Sequence, residues 1–295
     1  MSKTRYCWFP LCLAVLLQPA LSSFSEDEGG PLVLQEMAWV DVAGYLETND
    51  MVIIPLGSTE QHGRHLPLGS DYYQAFEMVK EVSRQTGVVV APLLLVGYSE
   101  YHLGFPGGIS VRPETMERVV FESVESLIKH GFRRIMFFNY HGGNSLVQEQ
   151  LIHRINHTTE ATAVAIGLGA PFQATEEGEF FDWHAGKSET STMLFVAPEL
   201  VRMERAEKPD IRFTTRAAEL RARAEDHPEL MYVWEQLIGT PSETKKGGAS
   251  NELSSNGVWS FSDPRSATAE IGEQTFARLT QNAVRFVEAW KLSSN

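Results

Sequence analysis

The chain has 295 residues, 43% of them hydrophobic and 21% charged, enough apolar material to bury a sizeable core and too much for a disordered polypeptide. Its formal net charge of −13 disfavours nucleic acid and anionic membrane surfaces as partners and suits a small neutral or cationic substrate. Length alone allows one large or two small domains.

In chain order, Lys3 and Arg5 precede an apolar stretch from Cys7 to Leu17, followed by Pro19-Ala20-Leu21-Ser22-Ser23. Residues 1–22 therefore read as a signal peptide. The stretch is too short to span a bilayer comfortably, and no later segment reaches about eighteen uninterrupted apolar residues. The mature protein is expected to be soluble, secreted or periplasmic, with no membrane contact after cleavage. Both cysteines, Cys7 and Cys12, fall inside the leader, so no disulfide is expected, and losing Lys3 and Arg5 takes the net charge from −13 to −15. Asn156-His157-Thr158 is a formal glycosylation sequon, relevant only in a eukaryotic secretory pathway.

Apolar runs of strand length follow at Met51–Leu56, Val88–Leu95, Arg133–Asn139 and Ala161–Leu168, with helix-like segments between them. The first crossover helix is expected over Asp71–Thr86, with Ala75, Phe76, Val79 and Val82 on one stripe and Gly87 as its stop. The second runs from Pro113 to His130 and stops at Gly131. Further helices are expected over Glu189–Val201 and Ala267–Leu292. Residues 205–238 read as an exposed helix and 239–257 as a turn-rich loop, together a mobile insertion at 205–257. Continuous rather than alternating apolar strands imply burial on both faces. The expected fold is a three-layer α/β/α sandwich with a mostly parallel central sheet.

Three polar motifs follow strands, where open parallel sheets gather ligands. Glu60, His62 and Asp71 follow the first; if the backbone is extended there, Glu60 and His62 face the same way, and Asp71 closes the cluster from a glycine-rich loop. Tyr140-His141-Gly142-Gly143-Asn144 follows the third, and Asp182-Trp183-His184-Ala185-Gly186-Lys187-Ser188-Glu189 enters a helix after the fourth. Carboxylates and imidazoles without thiolate suit Zn, Mn, Fe or Co and argue against Fe–S or a cysteine-type structural zinc. His130, His153, His157 and His227 have no carboxylate pattern nearby and are read as ordinary surface or core residues.

Together, STEQHG and HLPLGSD in 58–71, Phe105-Pro106-Gly107, YHGGN in 140–144, HAGKSETS in 184–191 and GVWSFSDPRSATAEIG in 257–272 resemble the creatininase (creatinine amidohydrolase) family, in the family's order from about residue 36 to 290. The resemblance implies one amidohydrolase domain over 31–295, two divalent metal ions per chain, Zn or Mn and otherwise Fe, and a homo-oligomer, commonly a hexamer. It implies hydrolysis of a non-peptide or cyclic amide C–N bond in a small-molecule substrate, with a metal-bridging hydroxide as nucleophile. Position by position, Glu60, Asp71 and His141 match the ligands of one metal, and His62 with the bridging Asp71 match two ligands of the other. His184 matches a proton-shuttling histidine, which Asp182 or a backbone carbonyl would orient.

Three positions depart from the family pattern. Creatininase itself has a metal-ligating glutamate where this chain has Gly143, so Glu189 is expected to supply the missing ligand; with His184 and Asp182 it completes the catalytic set. Lys187 stands where HAGE is common, and a cation there would bind an anionic substrate or weaken metal binding. Arg64 replaces a frequent proline. Gly143 and export both argue against true creatinine specificity. Two alternatives follow: a metallopeptidase acting on a short peptide, and a non-catalytic member binding metal or a small ligand.

Overall fold

Four strands, β1 (Met51–Leu56), β2 (Val89–Val90), β3 (Arg134–Asn139) and β4 (Thr162–Ala165), form one parallel sheet in the order β2-β1-β3-β4. The computed structural model describes residues 29–92, 96–167, 182–213, 215–231, 233 and 250–293. The expected leader and residues 239–249 of the expected loop lie outside the described residues. Register runs Val52 to Val89 and Val52 to Ile135 on the two sides of β1.

Alternate residues of each strand feed two separate cores. Val52, Ile54, Leu56, Ile135 and Phe137 face α3 (Pro113–His130) and α4 (Ser145–Thr158), with Val42, Tyr45 and Leu46 of α1 (Trp39–Leu46) at the margin. Met51, Ile53, Met136 and Phe138 face α2 (Ser70–Thr86) and the long C-terminal helix, α8 (Ala269–Leu292). The sandwich is three-layered, as the apolar runs require. Phe132, Phe137 and Phe138 are almost wholly buried; truncating any one to Ala costs about 3–5 kcal/mol.

Several expected boundaries shift. The second strand covers Val89–Val90 at the edge of the sheet, and residues 93–95 of the expected run lie outside the described set. The first crossover helix begins at Ser70, which puts Asp71 in its first turn instead of a loop. The helix expected over 189–201 is α5 (Lys187–Val196), followed by a 3-10 turn at Pro198–Leu200. The continuous helix expected over 205–238 is interrupted: α6 covers Thr215–Arg223, and Pro209 and Pro228 lie on either side of it. Within the expected 239–257 loop, Ser250–Leu253 forms a short helix, α7. Two helices, α1 and α4, had not been singled out, although Val147, Leu151 and Ile155 of α4 recur at helical spacing on its buried face. No helix among the described residues is long and apolar enough to cross a membrane.

The chain leaves β1 through α2 to reach β2 on one side, then returns through α3 to β3 on the other. The loops after β1 and β3 therefore diverge, and the gap beyond their carboxyl ends is where a doubly wound sheet binds ligands.

Candidate metal centre

That gap is filled by acids and imidazoles. After β1, Glu60 donates its N–H to Leu68 O (2.9 Å), and Thr59 bridges Ile109 beyond the Phe105-Pro106-Gly107 turn. Glu60 and His62 are both buried at the site. Asp71 arrives from the first turn of α2, where a carboxylate is favoured by the helix dipole. His141 arrives just after β3, its N–H held by Asn139 Oδ1 (3.1 Å). Asn144, the last residue of the HGGN motif, ties three loops: it accepts from Tyr98 N and donates to Gly57 O, each at 3.0 Å, and reaches Asn139 Oδ1 at 3.4 Å.

Asp71 is the centre of the arrangement. Its Oδ1 lies 3.0 Å from His62 Nε2, and its Oδ2 lies 3.2 Å from His141 Nδ1 and accepts from Ser58 Oγ at 2.7 Å. Glu189 lies on the His62 side, 3.8 Å from Nε2. Two sets of potential ligand atoms thus share Asp71: Glu60, Asp71 and His141, and His62, Asp71 and Glu189. A third set, Glu60, His62 and His184, overlaps them.

The outer nitrogens of the two imidazoles beside Asp71 face backbone carbonyls: His62 Nδ1 lies 3.2 Å from Glu60 O, and His141 Nε2 lies 2.9 Å from Tyr98 O. N–H donation there fixes each tautomer and leaves the inner nitrogen to accept a cation. Glu60 Oε2 is buried without a hydrogen-bond partner. An orphaned carboxylate oxygen beside oriented imidazoles fits a divalent cation of the Zn or Mn type.

The electrostatics agree. Burial alone would lower His62, but Asp71 and then Glu189 outweigh it and push it up to about 10. Burial is likewise outweighed at His141, pushed up to about 9 by Glu60 and Asp71. Asp71 resists burial and is held below the usual carboxylate range, chiefly by His62. Burial raises Glu60, with His141 opposing, and raises Glu189 to about 8, with His62 opposing. Protons on the imidazoles and cations compete for the same carboxylates.

Glu189 sits in the first turn of α5, its Oε2 accepting from Ala185 N at 2.6 Å. Ala185 is buried with φ +55°, a left-handed conformation costing an alanine roughly 1–2 kcal/mol, so the tight turn that aims Glu189 is a strained one.

His184 Nε2 lies against both the carbonyl oxygen of Gln61 and its side-chain Nε2, while its Nδ1 is 3.5 Å from Glu60 Oε1. The two contacts at Nε2 favour opposite tautomers, so neither is strongly preferred. Burial, then His102 and His62, hold its pKa well down, keeping the ring neutral. Of the two orienting groups expected for His184, it is the backbone carbonyl that touches it. Asp182 instead accepts from Ser188 N (2.7 Å) and Ser260 Oγ (2.8 Å), so it braces the entry to α5. Lys187 contributes its backbone N–H to Ser262 Oγ at 2.9 Å. Arg64 pairs with Glu207 on the surface at 2.9 Å.

Sequence reasoning did not single out His102, Gln61, Tyr101, Trp183 or Trp259. All but Gln61 line the cavity of about 230 Å³ above the carboxylates. Gln61 stands between two predicted ligands, and His102 lies three residues before the Phe-Pro-Gly motif; these adjacencies were the available signals.

Buried carboxylate and imidazole pairs at the switch point of a parallel sheet define a metal-competent α/β hydrolase centre. A family profile described as "Creatininase: Creatinine amidohydrolase" matches residues 35–287. The chain belongs to the creatininase family of amidohydrolases, enzymes that hydrolyse C–N bonds. It is 31% identical over 257 residues to the "Mycofactocin precursor peptide peptidase" of Mycolicibacterium smegmatis, covering 83% of this chain and 87% of that relative. It is 29% identical over 191 residues to the "Creatinine amidohydrolase" of Pseudomonas putida, covering 58% and 74% respectively. Among solved structures, the "E122Q mutant creatininase, Zn-Zn type" superposes with a TM-score of 0.69 at 21% identity, over 88% of this chain and 98% of that one, and so supports the fold.

Proposed function

We propose that the chain hydrolyses the amide C–N bond of a small substrate with two divalent cations, one held by Glu60, Asp71 and His141 and the other by His62, Asp71 and Glu189. The observation that carries this reading is the division of Asp71, whose two carboxylate oxygens face different ligand sets. Zn or Mn suits the donors, and Fe is the next candidate. When bound, the cations supply polarisation of the amide carbonyl and a hydroxide nucleophile at neutral pH.

The chain's own residues do the rest. Tyr101, Trp183 and Trp259 wall the cavity and limit water. His184 takes a proton at Nδ1 and returns it to the leaving nitrogen, since an amide leaves poorly unless protonated. A cavity of about 230 Å³ admits a ring-sized amide or one terminal residue, not a folded chain. Cleavage at the end of a short peptide is the second reading. It is favoured by the larger share of this chain aligned with the peptide peptidase, 83% against 58% for the creatinine amidohydrolase.

The test is elemental analysis joined to a screen of lactams, N-formyl compounds and short peptides. The purified protein is expected to hold close to two Zn or Mn, and Glu60→Ala or Asp71→Asn to lose at least one along with turnover. No metal bound after reconstitution would sink the proposal; turnover of peptides alone would select the second reading.

We also propose export after cleavage near Ser22 and assembly into a homo-oligomer. The charge and apolar pattern of residues 1–22 supports export, and family membership supports assembly. N-terminal sequencing of fractionated cells and the mass of the purified protein in solution test these points.

A further inference from the structure

Glu60 is buried among three imidazoles: Oε1 has His102 Nε2 at 3.3 Å and His184 Nδ1 at 3.5 Å, while Oε2 has His141 Nε2 at 3.3 Å and no hydrogen bond. His102 is itself buried, in a 3-10 turn at Glu100–His102, with its ring stacked 4.1 Å from that of His184. What lies behind it determines where its proton sits. Gln61 Oε1 accepts from Gly63 N at 2.9 Å, which turns the amide so that Nε2 faces His102 Nδ1 at 3.1 Å. Ser250 Oγ of α7 lies 3.1 Å from the same nitrogen. With the Gln61 amide N–H aimed at Nδ1, and a Ser250 hydroxyl that can turn either way, the ring proton belongs on Nε2, facing Glu60.

We propose that His102 is a positioning residue: it holds Glu60 by N–H donation to Oε1 and so presents Oε2 to the cation shared with Asp71 and His141. Outer-shell partners of this kind fix a ligand's orientation, and a carboxylate free to rotate pays that entropy on binding. The arrangement also explains why a residue with no ligand atom of its own in any of the three sets stacks against the centre. Ser250 joins α7 to the same ring, so the packing of that helix bears on the Glu60 carboxylate. Gln61 reaches His184 as well, at 2.9 Å, which links the proton-moving ring and the ligand-holding ring through one amide.

The inference rests on the proposed cation site. The experiment is zinc titration of the full chain against a competing chromophoric chelator, in an E189Q background that disables the other ligand set. Gln at 102 places an amide N–H near the position of the imidazole Nε2, whereas Asn reaches only as far as Nδ1. H102N is expected to weaken zinc binding about 10–100-fold, and H102Q to stay within about threefold of the parent. The metal-free melting temperatures of the two variants should agree, because a merely structural role would lower both. If H102N does not fold, H102M replaces it as the variant without a donor. Unchanged affinity in the donor-free variant, or an equal loss in H102Q, overturns the role of His102 alone. A parent that binds no zinc overturns the cation site and this inference together.

Discussion

A Cβ placed on Gly143 would stand 2.2 Å from the carbonyl oxygen of Tyr98, and it would come within 2.4 Å of His141 Nε2. Both neighbours are fixed: Tyr98 O faces His141 Nε2 at 2.9 Å, and Tyr98 N is bound by Asn144. A side chain at 143 has no route into the centre, so the glutamate that creatininase carries at this position is excluded by this backbone. Glu189 enters from α5 on the opposite side, beside His62.

Gly143→Ala is therefore expected to cost about 1–3 kcal/mol in denaturant unfolding, as overpacking against backbone does. It should also weaken the cation site that uses His141. An alanine variant with unchanged midpoint and metal content would show that the loop relaxes freely.

Glu189→Gln retains an oxygen to accept from Ala185 N but removes the charge. Metal content should fall from about two to about one per chain while the melting temperature of the metal-free protein barely moves. Unchanged stoichiometry would mean that the second cation does not use Glu189.

Metal uptake should release protons. His62 and His141, pushed up to about 10 and about 9, are protonated at pH 7 in the metal-free chain, and Glu189, near 8, is largely so. A cation must displace those protons, so affinity rises with pH through that range and falls as the medium is acidified. Zinc added to weakly buffered protein at pH 7 should acidify it; a proton-neutral titration would contradict the sign.

Asn144→Ala removes bonds to Tyr98 N and Gly57 O in a buried setting. Stability should fall by about 2–4 kcal/mol, since buried partners are left unpaired. Because the loops after β1 and β3 lose their tie, metal affinity should fall with it. Chemical denaturation and chelator competition measure the two effects separately.

Most of the sheet and its covering helices were legible in the sequence, because strands buried on both faces must be continuously apolar and Gly87 and Gly131 end α2 and α3 in left-handed conformations. The ligand candidates were legible because Glu60, His62 and His141 lie within a few residues of strand ends and Asp71 closes the loop after β1. The second strand covers only Val89–Val90 of the expected run, whose residues 93–95 lie outside the described set, and apolarity alone does not mark where strand pairing stops.

The amino-acid sequence by itself determined the three-layer architecture, the family and the residues able to hold a cation, all of which depend on local pattern and residue chemistry. Only the tertiary structure decided how those residues divide. It turned each oxygen of Asp71 towards a different imidazole, set Asp182 at the start of α5, and brought His102 to Glu60 from 42 positions along the chain. Such pairings depend on where diverging loops meet in space, and residue spacing does not encode that meeting.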